Sequence, residues 1–152
     1  MISFRESHTE LPNLDKIGNL IVYLVDQIKS KHRQNTYLTK LLKLLYIIDE
    51  TSVKETGAPV TGLDYRVWKM GPVAYDVYKD FVSDEPNMFS SFAEGKKSTS
   101  KIRNNEIIKI ETINHFDDSE FSDYEIELID TIVDKFGHYD GEALINLLRE
   151  KG

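Results

Sequence analysis

The chain has 152 residues, 40% of them hydrophobic and 30% charged, which is the balance of a globular protein long enough to bury one core without disulfide or metal staples. Nineteen lysines and arginines against 26 aspartates and glutamates leave a formal charge of −7, a surface that repels a phosphate backbone and argues against nucleic acid as a partner. Cysteine is absent, no apolar run approaches the roughly 20 residues that span a bilayer, and residues 1–8 lack the basic-then-apolar plan of a secretory signal; the expected location is cytoplasmic, with no membrane association.

Residues 1–12 read as an N-terminal extension and residues 13–152 as one domain. Leu14, Ile17, Ile21, Leu24, Val25 and Ile28 recur at three- and four-residue steps and predict a helix over residues 13–30, packed through one stripe. Asn35 and Thr36 offer capping oxygens to a second helix, apolar around most of its circumference from Leu38 to Ile48 and ending near Gly57, with Pro59 unable to continue it. Tyr65 and Val67 form a short extended piece. Gly71-Pro72 then predicts a third helix beginning at Pro72, whose fixed φ and missing N–H suit a first helical turn. Val73, Val77 and Phe81 are its stripe, and Tyr75 and Tyr78 lie off it.

Residues 83–104, with Pro86, Gly95 and several serines, read as mostly irregular. Ile108, Ile110 and Thr112 alternate with Lys109 and Glu111 as in a strand, one placed to pair with the piece before the junction. Ser122 and Glu125 form a capping box for a helix carrying Leu128, Ile129, Ile132, Val133 and Phe136, which Gly137 ends. Asp140 caps a final helix with Ala143, Leu144, Leu147 and Leu148. The expected fold is mainly α: a compact single-domain bundle of five or six helices with a small two-stranded β element.

Chemistry finds no foothold in these residues. His8, His32, His115 and His138 include no i, i+4 pair to face a zinc ion, and no cysteine helps them. The acids around Asp117 and Asp118 lack the spacing of an EF-hand loop and suit a turn before a helix, where the backbone dipole favours negative charge. Gly95-Lys96-Lys97-Ser98 has Ser90 where a phosphate-binding loop needs its first glycine. The basic stretches at residues 29–33 and 96–103 read as solvated surface. No catalytic residue, cofactor or metal site is expected, and the chain is not read as an enzyme. What remains is Trp68, Lys69, Tyr75 and Tyr78, an aromatic set with polar handles of the kind that anchors protein interfaces.

Three blocks in fixed order carry a resemblance. Thr39-Lys40-Leu41-Leu42-Lys43-Leu44-Leu45-Tyr46-Ile47-Ile48-Asp49, then Gly57-Ala58-Pro59-Val60, then Val67-Trp68-Lys69-Met70-Gly71-Pro72-Val73 with Tyr78 soon after, resemble the SocA-like antitoxin family. It is also called the Panacea domain and includes phage-associated GepA-like members. Lys40, Leu44, Tyr46, Pro59, Gly71 and Pro72 are the motif positions. The resemblance implies a cytoplasmic bacterial or phage antitoxin that binds a toxin encoded beside it. Alternative readings of the chain are an adaptor delivering the toxin to a ClpXP-type protease, with residues 83–104 as the protease-docking loop, and a nucleic-acid-binding regulator. Whether the chain forms a homo-oligomer stays open.

Overall fold

A computed structural model describes residues 13–84, 88–102 and 104–151, the side chain of Lys151 excepted. The expected extension over residues 1–12, with His8, lies outside the described residues, as do Pro86 and Arg103. In chain order the elements are α1 (Leu14–His32), β1 (Thr36–Tyr37), α2 (Leu38–Thr56), β2 (Tyr65–Trp68), β3 (Gly71–Ala74), α3 (Tyr75–Val82), β4 (Ala93–Thr99), β5 (Glu106–Thr112), α4 (Asp123–Phe136) and α5 (Gly141–Lys151).

Helices hold 52% of the described residues and strands 18%, in a three-stranded antiparallel sheet of order β1-β5-β4 and a two-stranded sheet β2-β3. The expectation of a mainly α bundle with one two-stranded element is therefore wrong, and the fold mixes α and β. Two segments make the difference. Residues 93–99, expected to be irregular, form β4 and pair with β5 along their full length, from Ala93↔Thr112 to Thr99↔Glu106. Only Ala93 is buried there, so the strand has no apolar alternation to betray it; its backbone ladder to β5 defines it. Pro72 does not start a helix. It lies in β3, opposite Val67, and α3 begins three residues later at Tyr75. A φ fixed near −65° fits extended backbone as well as a first helical turn, and a two-stranded hairpin is an edge where proline is tolerated. β5 pairs with β1 and β4 rather than with β2.

α2 is the spine of the molecule. Leu41, Leu44, Leu45 and Ile48 are fully buried, against Ile17, Leu20, Ile21, Leu24 and Ile28 of α1 and Ile129 and Val133 of α4, in one continuous hydrophobic cluster. Each such side chain contributes roughly 1.5–3 kcal/mol on burial. α1 approaches the β4 entry so closely that a Cβ on Gly18 would meet the Phe92 ring at 2.3 Å. Caps differ from end to end. The capping box of α4 is present, with Ser122 Oγ accepting from Glu125 N at 3.1 Å and Glu125 Oε1 accepting from Ser122 N at 2.9 Å. Asp140 Oδ1 accepts from Ala143 N at 2.8 Å. Asn35 and Thr36 do not cap α2: Thr36 pairs with Ile110 in the sheet, its buried Oγ1 has no partner among the described residues, and the N-cap position is Tyr37, which makes no side-chain cap bond.

Candidate functional site

Four polar side chains of α2 are buried: Lys40, Lys43, Asp49 and Ser52. Buried polar groups need partners, and each of these finds them on a neighbouring loop. Lys40 Nζ donates to Gly137 O at 2.5 Å, at the C-terminal end of α4, where a cation also answers the helix dipole. Ser52 Oγ donates to Ala58 O at 2.7 Å. Asp49 Oδ1 accepts from Val60 N at 2.8 Å and Thr61 N at 2.9 Å, while Oδ2 accepts from the Thr61 hydroxyl and from Tyr65 Oη at 2.6 Å. Burial first, then the Asp49 charge, pushes the Tyr65 phenol well above its usual range. The chain is thus anchored to α2 immediately before β2 begins.

Lys43 anchors the other end of that hairpin. Its ammonium donates to Met70 O at 2.6 Å and Pro72 O at 2.8 Å, under the β2–β3 turn. Burial, with help from the nearby Arg149 charge, pushes the Lys43 amine down to about 8. Gly71 has φ +94°, a left-handed angle open to glycine, and an added Cβ would stand 3.3 Å from Lys43 Nζ. Turn geometry and lysine access both require the glycine.

On this clamped hairpin sit the residues expected to meet a partner. Trp68 is 40% exposed and packs edge-on against Tyr75 (centroids 5.9 Å, 85°) and Tyr78 (5.1 Å, 86°). The structure therefore brings Trp68, Tyr75 and Tyr78 into one cluster, with Lys69 exposed at the turn beside them. Sequence reasoning missed the surroundings. The Arg66 guanidinium lies 3.5 Å from the centroid of the Tyr75 ring, and Lys79 Nζ 6.0 Å from it. Arg149 of α5 donates to Lys69 O at 3.5 Å. Val67 is 80% and Met70 51% exposed. Strand alternation could have flagged Arg66; only the tertiary fold brings in Arg149, 80 residues from Lys69 in sequence.

The motif positions serve structure. Lys40, Gly71 and Pro72 act as described; Leu44 is wholly buried; Tyr46 donates to Glu50 Oε2 at 3.0 Å and meets Tyr65 edge-on at 5.4 Å; Pro59 is exposed in the loop that Asp49 and Ser52 secure. Other regions offer less chemistry. Gly95-Lys96-Lys97-Ser98 lies within β4, not in a loop. His32 Nε2 stands 2.9 Å from Val133 O, and among the described residues no three His, Cys, Asp or Glu come together to hold a metal ion. Asp117 Oδ1 accepts from Ser119 N in the turn before α4, a bond that lowers its carboxyl pKa. A groove of about 610 Å³ runs between α2, α4 and α5, floored by Ile47, Leu128 and Leu147 and rimmed by Glu50, Lys54 and Lys135. Among the described residues no helix is long and apolar enough to cross a membrane.

Residues 41–152 match the sequence model of the family described as "Antitoxin SocA-like, Panacea domain". The match begins inside α2 and takes in the hairpin and every later element, and the chain belongs to that family. No curated protein and no solved structure matches the chain. Membership suggests an antitoxin role and, with it, a toxin as partner.

Proposed function

We propose that this protein neutralises a toxin encoded by a neighbouring gene through direct protein–protein contact, and that Trp68, Lys69, Tyr75 and Tyr78 on the β2–β3 hairpin and the start of α3 form the contact surface. Family membership supports the antitoxin role. The single observation behind the surface is that the aromatic cluster is solvent-accessible while its scaffold is held rigidly from below by Lys43 and Asp49. Large aromatics on a rigid support lose little freedom on binding and so dominate interface energies. Masking of this kind needs no catalytic group.

Coexpression with the neighbouring gene's product tests it. The intact chain relieves growth arrest and comigrates with that protein on size exclusion, and Trp68→Ala lowers the affinity by about 2 kcal/mol, the size of a hot-spot truncation, at nearly unchanged thermal stability. A complex that forms equally well with Trp68→Ala removes the hairpin from the interface.

A further inference from the structure

Four cations gather around the aromatic residues of the hairpin. Lys16, Lys31, Lys54, Lys96, Lys97 and Lys109 each pair with a carboxylate. Among the described residues Arg66, Lys69, Lys79 and Arg149 form no ion pair; Arg66 and Lys79 face the Tyr75 ring and Arg149 donates to a backbone carbonyl. Of the aspartates on the same segment, Asp80 turns inward to accept from Met88 N at 3.0 Å and Phe89 N at 3.1 Å. A protein of net charge −7 thus gathers around Trp68 four cations that have no ion pair among the described residues, on a segment that also carries Asp64 and Asp76.

Resting on the antitoxin reading above, we propose that the hairpin receives an acidic segment of the partner protein, which sets carboxylates against Arg66, Lys69, Lys79 and Arg149 and an apolar side chain against Trp68 and Met70. Guanidinium and ammonium groups left without counter-ions attract carboxylates, and opposed potentials speed encounter and reject wrong partners. The partner's acidity is the reverse of what the overall negative charge alone would suggest. Protein fits better than nucleic acid, because Val67 and Met70, 80% and 51% exposed, offer a phosphate backbone nothing, and the rest of the molecule repels it.

The fluorescence of Trp68, the only tryptophan, reports binding directly. The probes are two 15-residue peptides with the same leucines and phenylalanines, one carrying glutamates and the other lysines at the remaining positions, a 20-base-pair DNA duplex, and the neighbouring gene's product. The glutamate peptide binds, its affinity falls about tenfold or more between 50 and 300 mM salt, and the lysine peptide and duplex do not bind. The triple variant R66Q/K69Q/K79Q loses the glutamate peptide and weakens binding of the neighbouring product about tenfold or more, and Lys69→Glu alone, at the exposed turn, moves in the same direction with unchanged thermal unfolding. Tighter binding of the lysine peptide or of the duplex overturns the proposal, as does wild-type affinity of the triple variant for the neighbouring product. If Trp68→Ala weakens that complex and the triple variant does not, the antitoxin surface stands and its charge preference falls; if neither variant weakens it, both readings fall.

Discussion

Lys43 shows how one side chain can hold a proposed contact surface without belonging to it. Its ammonium supplies the only described donor to the Pro72 carbonyl from outside the hairpin and a second bond to Met70 O, from a side chain 1% exposed. Lys43→Met keeps the length and the apolar stem but leaves two carbonyls without that donor, and unsatisfied buried acceptors cost about 1–3 kcal/mol each. Relaxation of the turn toward water offsets part of this, so the expected loss is about 2–3 kcal/mol in urea unfolding, with a red-shifted Trp68 emission in the folded state. An emission maximum and a midpoint equal to wild type would show that the turn holds without the lysine. Tyr65→Phe removes the hydroxyl whose one hydrogen lies within reach of Asp49 Oδ2 at 2.6 Å and Leu45 O at 3.0 Å. The remaining donors keep the carboxylate solvated by protein, so the expected loss is smaller, about 1–1.5 kcal/mol, read from the same denaturant curves.

At the scale of elements, the two hairpin strands depend on Gly71. Alanine there must hold φ near +94° and crowd Lys43 Nζ at 3.3 Å; a strained non-glycine angle costs of order 1–3 kcal/mol, and thermal unfolding of Gly71→Ala is expected to show a loss in that range. Removing the cap of α4 with Ser122→Ala is expected to cost about 1 kcal/mol and to leave the hairpin untouched. The same elements show what could be read from residues alone. α1, α2 and α4 announce themselves through apolar spacing, and Ser122 through its glutamate three residues on, because these signals are local. β4 gives no such signal: five of its seven residues are exposed and its order comes from pairing with β5 across the Asn104 turn. Gly71-Pro72 is ambiguous in principle, since hairpin and helix start make the same demands on φ. Of the proposed contact surface, the aromatic members stood out in sequence because Tyr75 and Tyr78 leave the apolar stripe, and the fold clusters them with Trp68. The cations around them were not, because Arg149 reaches the turn from another helix and Lys43 reads as one more polar position on a mostly apolar one.

Over the whole molecule, the spine's buried lysines set an unusual pH dependence. Burial holds both Lys40 and Lys43 down to about 8, against 10.5 for a free lysine. Below pH 8 both states carry the charge, and the folded state bears the full desolvation penalty. Between pH 8 and 10.5 the folded protein releases these protons before the unfolded chain does, so the unfolded state binds more protons and stability rises with pH. The contacts survive deprotonation, because a neutral amine keeps two N–H groups and Lys43 has two carbonyls to serve. Tyrosines act in the opposite sense. Burial, with the Asp130 hydrogen bond and charge, pushes Tyr23 up to about 12, and Tyr65 is also raised. Above pH 10 the unfolded chain ionises its tyrosines while these two keep their protons, so stability falls. Unfolding free energy is therefore expected to climb from about pH 8 and crest near pH 10, with a rise of about 1–2 kcal/mol from pH 7.5 after allowance for residual solvation of the amines. Urea titrations across that range measure it, and the double variant Lys40→Met/Lys43→Met, though less stable throughout, loses the alkaline rise and keeps the fall above pH 10. A rise that persists in the double variant would assign the proton release to other groups.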